Sequence, residues 1–205
     1  MKGVSGTRRA SSFLVLLALF LLSAFQQQPA KPVLATFGIG LGEKALAKAE
    51  WKFEQRASDL FRKNLSEGDA YRVVPFSRTH PSVQRALAER TLPSELLLPP
   101  FTGMVGQEFK VVKLAKLMRA DYAVSGTIDR LTVEGDGTKA TAVVIFELYD
   151  VAKGKMAGTT GATFEASGEN EAASVAKLIE EVATKGAAES KKLLDEYRAK
   201  ASGGG

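Results

Sequence analysis

The sequence has 205 residues, 45% of them apolar, and contains no cysteine, which excludes both disulfides and a lipidated amino-terminal cysteine. Three of its 28 Lys and Arg residues and none of its 23 acids lie in the first 24 residues, so the rest carries 25 bases against 23 acids, a net charge of +2. Without a basic stripe able to neutralise a run of phosphates, nucleic acid is not an expected partner.

The first 24 residues have the pattern of an export signal. Lys2, Arg8 and Arg9 form a basic start, residues 13–25 are an uncharged apolar run, and Ala24 offers the small residue that signal peptidase requires. We expect a Sec-type signal cut after Ala24, without a lipobox cysteine, and a periplasmic or secreted protein. A run of 13 residues is too short to span a bilayer core of about 30 Å. An uncleaved anchor and a twin-arginine route are the alternatives.

Residues 25–32 are predicted to form a flexible leader, residues 33–200 a single domain, and residues 201–205 a disordered tail. Hydrophobic periodicity and turn residues predict nine elements. In chain order they are a strand at 33–39, a helix at 43–65, a strand at 71–77, helices at 81–90 and 107–119, strands at 122–133, 139–150 and 155–165, and a long helix from 172 to 197 in which Gly186 could allow a bend.

The resulting order, β-α-β-α-α-β-β-β-α, determines the expected fold class. The early βαβ crossover favours a parallel pair of strands, and the later meander favours antiparallel strands. We therefore predict an α/β (α+β) domain with a mixed β-sheet flanked by helices. No second apolar run approaches the length of a membrane span, so none is expected in the mature chain.

The segment from 109 to 129 is predicted to run from a helix directly into a strand. Four apolar residues recur at helical spacing and are expected to face the core, namely Val111, Leu114, Ala115 and Met118. The charged residues are expected on the opposite, exposed face, namely Lys110, Lys113, Lys116 and Arg119. At the junction, Arg119 is expected to favour the helix C-terminus electrostatically, and Asp121 to support the turn.

Catalytic groups are scarce. His80 is the single histidine and, beside Pro81, is predicted to be a surface residue at a helix start. Asp129, Glu134 and Asp136 could bind a hard cation through oxygen, but turn geometry already explains an Asp-Gly pair in a hairpin. We predict no catalytic, cofactor-binding or metal-ligating residues, no cofactor and no enzymatic activity.

A glycine-rich stretch, Gly38-Ile-Gly40-Leu-Gly42, lies between the first predicted strand and helix. A dinucleotide fingerprint requires its third glycine at the position of Glu43. The stretch is therefore predicted to be a flexible turn that lets the helix pack closely. A nucleotide- or small-ligand-binding protein that uses the Gly38–Gly42 turn is kept as an alternative.

Two features are candidates for a partner surface. The proline-rich segment 91–106 carries apolar side chains that either pack on the core or contact a partner. Trp51 is predicted on the face of helix 43–65 opposite its buried stripe, where it either anchors an interface or packs on a neighbouring loop. The candidate residues are Leu96, Leu97, Leu98, Phe101, Met104 and Trp51.

The junction at 116–129 resembles that of a group of periplasmic domains. In this group, which includes the curli secretion-channel protein, the lipoprotein activators of penicillin-binding proteins and the amino-terminal domain of the Tol–Pal translocation protein, a helix leads through Gly/Arg-Ala-Asp-Tyr into a strand that ends in Gly. Tyr71–Val74 resembles the group's second strand, and Phe146–Gly154 its strand and turn ending in Asp-x-x-x-Gly. The resemblance covers about Val33 to Arg198.

The resemblance implies a non-enzymatic exported binding or assembly module of the bacterial cell envelope that acts through protein–protein contacts. Its expected partner is another envelope protein, and it could also form a homo-oligomer. The channel formers of the group carry a lipidated cysteine and extra membrane-inserted hairpins. This sequence has no cysteine and only short turns between its strands. An oligomeric secretion-channel accessory is therefore the second hypothesis.

Overall fold

The computed structural model describes residues 31–202, so the predicted signal peptide, most of the leader and residues 203–205 lie outside the described residues. The strands are β1 (Val33–Leu41), β2 (Arg72–Pro75), β3 (Met104–Val105), β4 (Glu108–Phe109), β5 (Tyr122–Val133), β6 (Lys139–Asp150) and β7 (Lys155–Ser167). The α-helices are α1 (Phe53–Ser66), α2 (Pro81–Ala88), α3 (Lys110–Leu117) and α4 (Glu171–Ser202), and Ala49–Trp51 and Ser94–Leu97 form short 3-10 helices.

The predicted mixed sheet is confirmed. Five strands lie in the order β2-β1-β5-β6-β7; β1 is parallel to both β2 and β5, and β5, β6 and β7 form an antiparallel meander. Long β-branched and apolar runs in β5 and β6 favour these central positions because their side chains are buried. The two-residue strands β3 and β4 form a separate hairpin.

Helices cover both faces of the sheet, giving two apolar clusters. One lies between the sheet and helices α1 and α4, and contains Phe61 and Phe146, whose rings stack 5.5 Å apart. The other lies against α2, α3 and the segment 91–109, and contains Val83, Val112 and Leu114. No helix within residues 31–202 has the length and apolar content needed to cross a bilayer.

The prediction that a helix starts at residue 43 is wrong, because α1 begins only at Phe53. Gly42 N donates a hydrogen bond to Ile128 O at 2.8 Å, so pairing with β5 continues past Leu41, and a Cβ at Gly42 would lie 2.9 Å from that oxygen. Lys52 then adopts a left-handed conformation with φ of 47°, which ends the 3-10 helix before it and separates it from α1.

Helices α2 and α3 are shorter than predicted. Arg90 has φ of 55°, so α2 ends at Ala88, and residues 108–109 pair with β3, so α3 starts at Lys110. The predicted apolar face of α3 is confirmed, since all four of its residues are buried. Lys110, predicted to be exposed, is buried as well, because its side chain bends under the segment 91–109 to reach main-chain carbonyls.

The helix-to-strand junction is held by Asp121. Arg119 takes a left-handed conformation with φ of 55°, which ends the helix and turns the chain, while Ala120 is buried. Asp121 Oδ2 then accepts a hydrogen bond from Val33 N at 2.7 Å, and Asp121 N donates to Val33 O at 2.9 Å. The carboxylate therefore fixes the start of β1, 88 positions away, as well as the local turn.

The long last helix, α4, is continuous through Gly186 and includes Ala201 and Ser202, which the sequence analysis placed in the tail. Gly186 is buried, and a Cβ at this position would lie 2.2 Å from Phe146 Cζ. The glycine therefore lets α4 approach a core ring closely.

Candidate functional site

The first half of the segment 91–109 packs against the rest of the domain. Leu92, Leu96 and Leu97 are buried in the cluster beneath α2 and α3. Arg78 Nε donates a hydrogen bond to Leu97 O at 3.1 Å, which satisfies a carbonyl at the end of the 3-10 helix Ser94–Leu97. This half of the segment therefore belongs to the core.

Three phenylalanines anchor the middle of the segment. The ring of Phe101 lies 5.3 Å from that of Phe37 on β1 and 5.0 Å from that of Phe76, and the Phe37 and Phe76 rings stack at 5.0 Å. Aromatic pairs in such arrangements contribute about 0.5–1.5 kcal/mol beyond the area they bury. Phe101 remains half-buried despite these contacts.

Lys110 ties the remaining part of the segment together. Its Nζ donates to Pro100 O at 2.8 Å and also to Leu98 O, and its main-chain N donates to Gly103 O at 3.1 Å. The ammonium lies 5.3 Å from the centre of the Phe101 ring, within the range of a cation–π contact. Burial lowers the pKa of Lys110. No carboxylate within residues 31–202 forms an ion pair with it.

Although these contacts hold the segment 91–109 in place, two of its large apolar side chains remain exposed to solvent. Leu98 is 50% exposed and Met104 is 55% exposed, on a segment whose carbonyls are held from below by Lys110. We call Leu98, Phe101 and Met104 the loop patch. Exposed apolar residues on a well-anchored loop are characteristic of contact surfaces, because the backbone is ordered before a partner arrives.

The structure separates the six residues predicted as a partner surface. Leu96 and Leu97 are buried, at 9% and 5% exposure, and so cannot form an exposed surface. Trp51 is also nearly buried, at 9%, because it lies on the 3-10 helix before α1 and not on α1 itself. Its Nε1 donates to Glu171 Oε1 at 3.2 Å, so it packs at the start of α4, on the other side of the sheet.

The glycine-rich stretch lies within β1 up to Leu41, with Gly42 just past the end of the strand, and it does not lead directly into a helix. Gly38 has φ of 75° at an irregularity in the strand, and a Cβ there would lie 2.5 Å from Ser58 Oγ. Ser58 Oγ accepts a hydrogen bond from Ile39 N at 2.9 Å, which joins α1 to the strand. The enclosed cleft beside Gly38 and Gly40 is small, with about 10 Å³ of space, enough for about one water.

The remaining polar candidates have structural roles. His80 starts α2, and its Nδ1 accepts a hydrogen bond from Ser82 N at 3.3 Å, as its place before Pro81 suggested. Asp136 Oδ1 accepts from both Thr138 N and Thr138 Oγ1 at 2.9 Å, and these hydrogen bonds lower the pKa of Asp136. Among the residues the structure describes, no group of three His, Cys, Asp or Glu could hold a metal ion.

The Asp150–Gly154 turn explains the Asp-x-x-x-Gly motif. Asp150 Oδ1 accepts from Lys153 N at 2.9 Å, and Oδ2 accepts from Tyr197 Oη at 2.8 Å, which links the turn to α4. Burial raises the pKa of Asp150, but hydrogen bonds from Lys153 and Tyr197 lower it more, so the net pKa lies below its usual value. Sequence reasoning identified the motif and missed its contact with α4, because that contact is 47 positions away.

No family model matches the sequence, and no curated protein matches it. Among solved structures, the chain is similar to the hypothetical protein CT253 from Chlamydia trachomatis, with 16% identity, a TM-score of 0.46, and coverage of 85% of this chain and 97% of that one. It is also similar to a PelC dodecamer from Paraburkholderia phytofirmans, with 15% identity, a TM-score of 0.43, and coverage of 76% and 84%.

A third similar structure is the LpoB C-terminal domain from Salmonella enterica, with 12% identity, a TM-score of 0.43, and coverage of 71% of this chain and 90% of that domain. The LpoB C-terminal domain is thus among the solved structures to which this chain is similar. Identities of 12–16% with TM-scores of 0.43–0.46 are too low to transfer a function.

Proposed function

We propose that this protein is a non-enzymatic binding module of the bacterial cell envelope that acts through contact with another envelope protein. The observation that carries the proposal is the loop patch, in which Leu98 and Met104 remain exposed on a segment anchored by Phe101 and Lys110. Large apolar side chains that an anchored segment holds in solvent are candidates for contact with a partner. The export signal predicted at residues 1–24 supports the envelope location.

The surroundings of the patch indicate the chemistry of the partner. Residues 72–120, which include α2, the segment 91–109 and α3, carry seven Lys or Arg side chains besides the buried Lys110, and three Glu, of which Glu108 pairs with Lys116. An acidic surface with an apolar centre would be complementary to this basic region. Because exposed charges are screened by salt, the association should slow and weaken as ionic strength rises.

The test is a comparison of matched variants. The protein, produced with its export signal and captured from the envelope after crosslinking, should retain a defined partner that is lost when Leu98 and Met104 are both changed to Ser. Leu46→Ser is the control, because Leu46 is 83% exposed and lies in the chain between β1 and α1. Equal capture by the patch variant and the control, with both folded, would exclude the loop patch as the contact.

A further inference from the structure

The outer edge of β7 is open to pairing with a further strand. Within residues 31–202, β7 pairs with β6 alone and ends the sheet. It has 13 residues and no proline. The opposite edge is different, because β2 has four residues and ends at Pro75, which has no N–H to donate. A long, regular edge such as that of β7 is a template for another strand unless something covers it.

The register with β6 shows which main-chain groups of β7 point outward. Gly168 N donates a hydrogen bond to Thr138 O at 2.9 Å, and the ladder continues without a shift as far as Gly158. Hydrogen-bonded pairs alternate along an antiparallel ladder. The odd-numbered residues from Thr159 to Ser167 therefore turn their N–H and C=O groups away from β6.

One row of α4 side chains runs beside this edge. Lys177 Nζ donates to Ser167 O at 3.0 Å, and a Cβ at Gly158 would lie 2.9 Å from Leu193 Cδ1, so the helix runs antiparallel to β7. The 16 positions from Lys177 to Leu193 accompany the nine positions from Ser167 back to Gly158. Four residues of α4, or about 6 Å along its axis, therefore correspond to about two residues of β7.

The charges in this row alternate in sign. Residues four apart lie on one face of a helix, and four of them line the open groove between α4 and residues 160–167 of β7. We call these four the charge row: Lys177, Glu181, Lys185 and Glu189. Glu181 pairs with Lys185 within the helix, whereas Lys177 and Glu189 form no ion pair with any residue in 31–202. A row that alternates in this way is complementary to its own reverse.

Pairing of two β7 strands would present the charge row to its own reverse. In an antiparallel pair related by a two-fold axis, both α4 helices lie on the same face of the joined sheet and run in opposite directions. The spacing above places Glu181 level with Glu165, and Lys185 level with Thr163. With Thr163 of one copy opposite Glu165 of the other, each Glu181 is level with Lys185 of the other copy. Neighbouring strands lie about 4.8 Å apart, so the two grooves merge and the two rows face each other.

We propose that the protein forms a two-fold symmetric dimer through antiparallel pairing of β7 with β7 of a second copy, Thr163 of one opposite Glu165 of the other. In this register Lys177 is also level with Glu189 of the second copy, so both charges that lack a partner in the single chain acquire one. A register in which Thr163 lies opposite itself would instead bring the two Lys185 side chains together, which like-charge repulsion opposes. The alternation of charge therefore selects the second copy as the occupant of the edge, and also its register.

The main chain fits the same register. Gly161 lies opposite Ser167, and Thr163 opposite Glu165, so outward-facing residues of one copy meet outward-facing residues of the other. Ser167 O already accepts from Lys177, and a carbonyl oxygen has a second lone pair that can accept a main-chain N–H. The proposal rests on the β7 edge and the charge row, and does not depend on the loop patch.

Sedimentation velocity of the exported protein tests the dimer. The wild type should be dimeric at about 100 μM and low salt, and should dissociate on dilution or at high salt. Glu181→Lys and Lys185→Glu should each raise the dimer dissociation constant about tenfold or more, because two attractive pairs become repulsive. Glu180→Lys is the matched control, since this exposed residue is about 100° around the helix from Glu181 and should leave the dimer unchanged.

Mixing the two charge variants separates pairing from folding. Glu181→Lys and Lys185→Glu should each be monomeric alone and should form a heterodimer when mixed, because each Lys then faces a Glu of the other chain. The double variant that exchanges both charges should dimerise like the wild type. Neither result is expected if the single variants only disturb α4.

Main-chain pairing is tested with proline. Thr163→Pro removes an outward N–H that β6 does not use, and should abolish the dimer. Thr159→Pro makes the same change outside the paired residues 161–167, and should leave the dimer intact. If either variant does not fold by circular dichroism, the mixing experiment decides without any change to the main chain.

Four results would overturn the proposal. They are a monomeric wild type at about 100 μM and low salt, a dimer that both single charge variants retain, single variants that stay monomeric when mixed, and a dimer that the loop-patch variant loses. The last result would place the contact at the loop patch. Loss of partner capture by the loop-patch variant, with dimerisation intact, would leave the dimer and the proposed function both supported; capture equal to that of its control would exclude the loop patch alone.

Discussion

Replacing Gly186 by Ala should destabilise the protein, although helix propensity alone predicts the opposite. Gly186 is in the interior of α4, where Ala is intrinsically favoured by about 1 kcal/mol. An added Cβ would lie 2.2 Å from Phe146 Cζ and 2.8 Å from its Cε1, whereas ordinary contacts lie beyond 3.4 Å. The ring cannot turn aside easily, because it is fully buried and stacked 5.5 Å from the ring of Phe61.

The magnitude follows from these two opposing effects. Overpacking a tight core costs about 1–3 kcal/mol, and an overlap of more than 1 Å with a confined ring belongs at the upper end of that range. After the gain in helix propensity is subtracted, the free energy of unfolding should fall by about 2 kcal/mol. For a domain of this size, that corresponds to a melting temperature lower by about 4–8 °C.

Urea denaturation of four proteins measures the effect: the wild type, Gly186→Ala, Phe146→Leu and the double variant. In the Phe146→Leu background the ring is absent, so Gly186→Ala should become neutral or stabilising, with a coupling of about 2 kcal/mol between the two sites. Ala188→Gly, at an exposed position of α4, gives the propensity cost without packing. A rise in the free energy of unfolding for Gly186→Ala in the wild-type background would refute the packing argument.

Three further predictions concern the polar contacts. Asp121→Ala removes the acceptor for Val33 N and should lower the free energy of unfolding by about 1 kcal/mol. Asp121→Asn keeps an acceptor oxygen and should lower it less. Equal losses for the two variants in urea titrations would exclude the hydrogen bond as the cause. The pKa of Asp150 is lower in the folded state, so the unfolded state binds more protons as the pH falls. The stabilisation from this carboxylate is therefore present above about pH 4 and is lost as the pH falls through the folded-state pKa. Asp150→Asn should flatten this decline in the free energy of unfolding, and a pH profile identical to that of the wild type would contradict the prediction. Lys110→Met should make the segment 91–109 more sensitive to limited proteolysis, whereas Lys113→Met, on the same helix, should not. Equal protection from proteolysis in both variants would show that Lys110 does not hold the segment.

Local patterns in the sequence were sufficient to place most elements. The strands at 122–133 and 139–150 and the apolar face of α3 follow from periodicity, because each is a continuous stretch whose buried side chains repeat at the spacing of the element. The mixed sheet followed from the same information, since a βαβ crossover and a meander leave few topologies open. The junction at residues 116–129 likewise predicted a helix that runs directly into a strand, as α3 and β5 do.

The errors occur where contacts between distant parts of the chain override local preference. Residues 43–52 have helical periodicity, but the left-handed Lys52 separates them from α1, and Trp51 packs against Glu171, 120 positions away. Lys110 follows the charged face of its helix in sequence and yet is buried, because carbonyls at Leu98 and Pro100 replace water around its ammonium.

The candidate binding surfaces also depend partly on local sequence patterns and partly on tertiary contacts. The composition of the segment 91–106 indicated that it would either pack on the core or meet a partner, and the structure divides it between the two, with Leu97 buried and Leu98 exposed. The sequence alone cannot show which of two adjacent residues of similar hydrophobicity is buried, because this depends on where Phe101 and Lys110 hold the chain. The open edge of β7 was likewise invisible in the sequence, because strand order arises only when β1, β5 and β6 assemble. Periodicity determines which residues are buried within an element, whereas the packing of elements determines which edge and which loop remain free to bind.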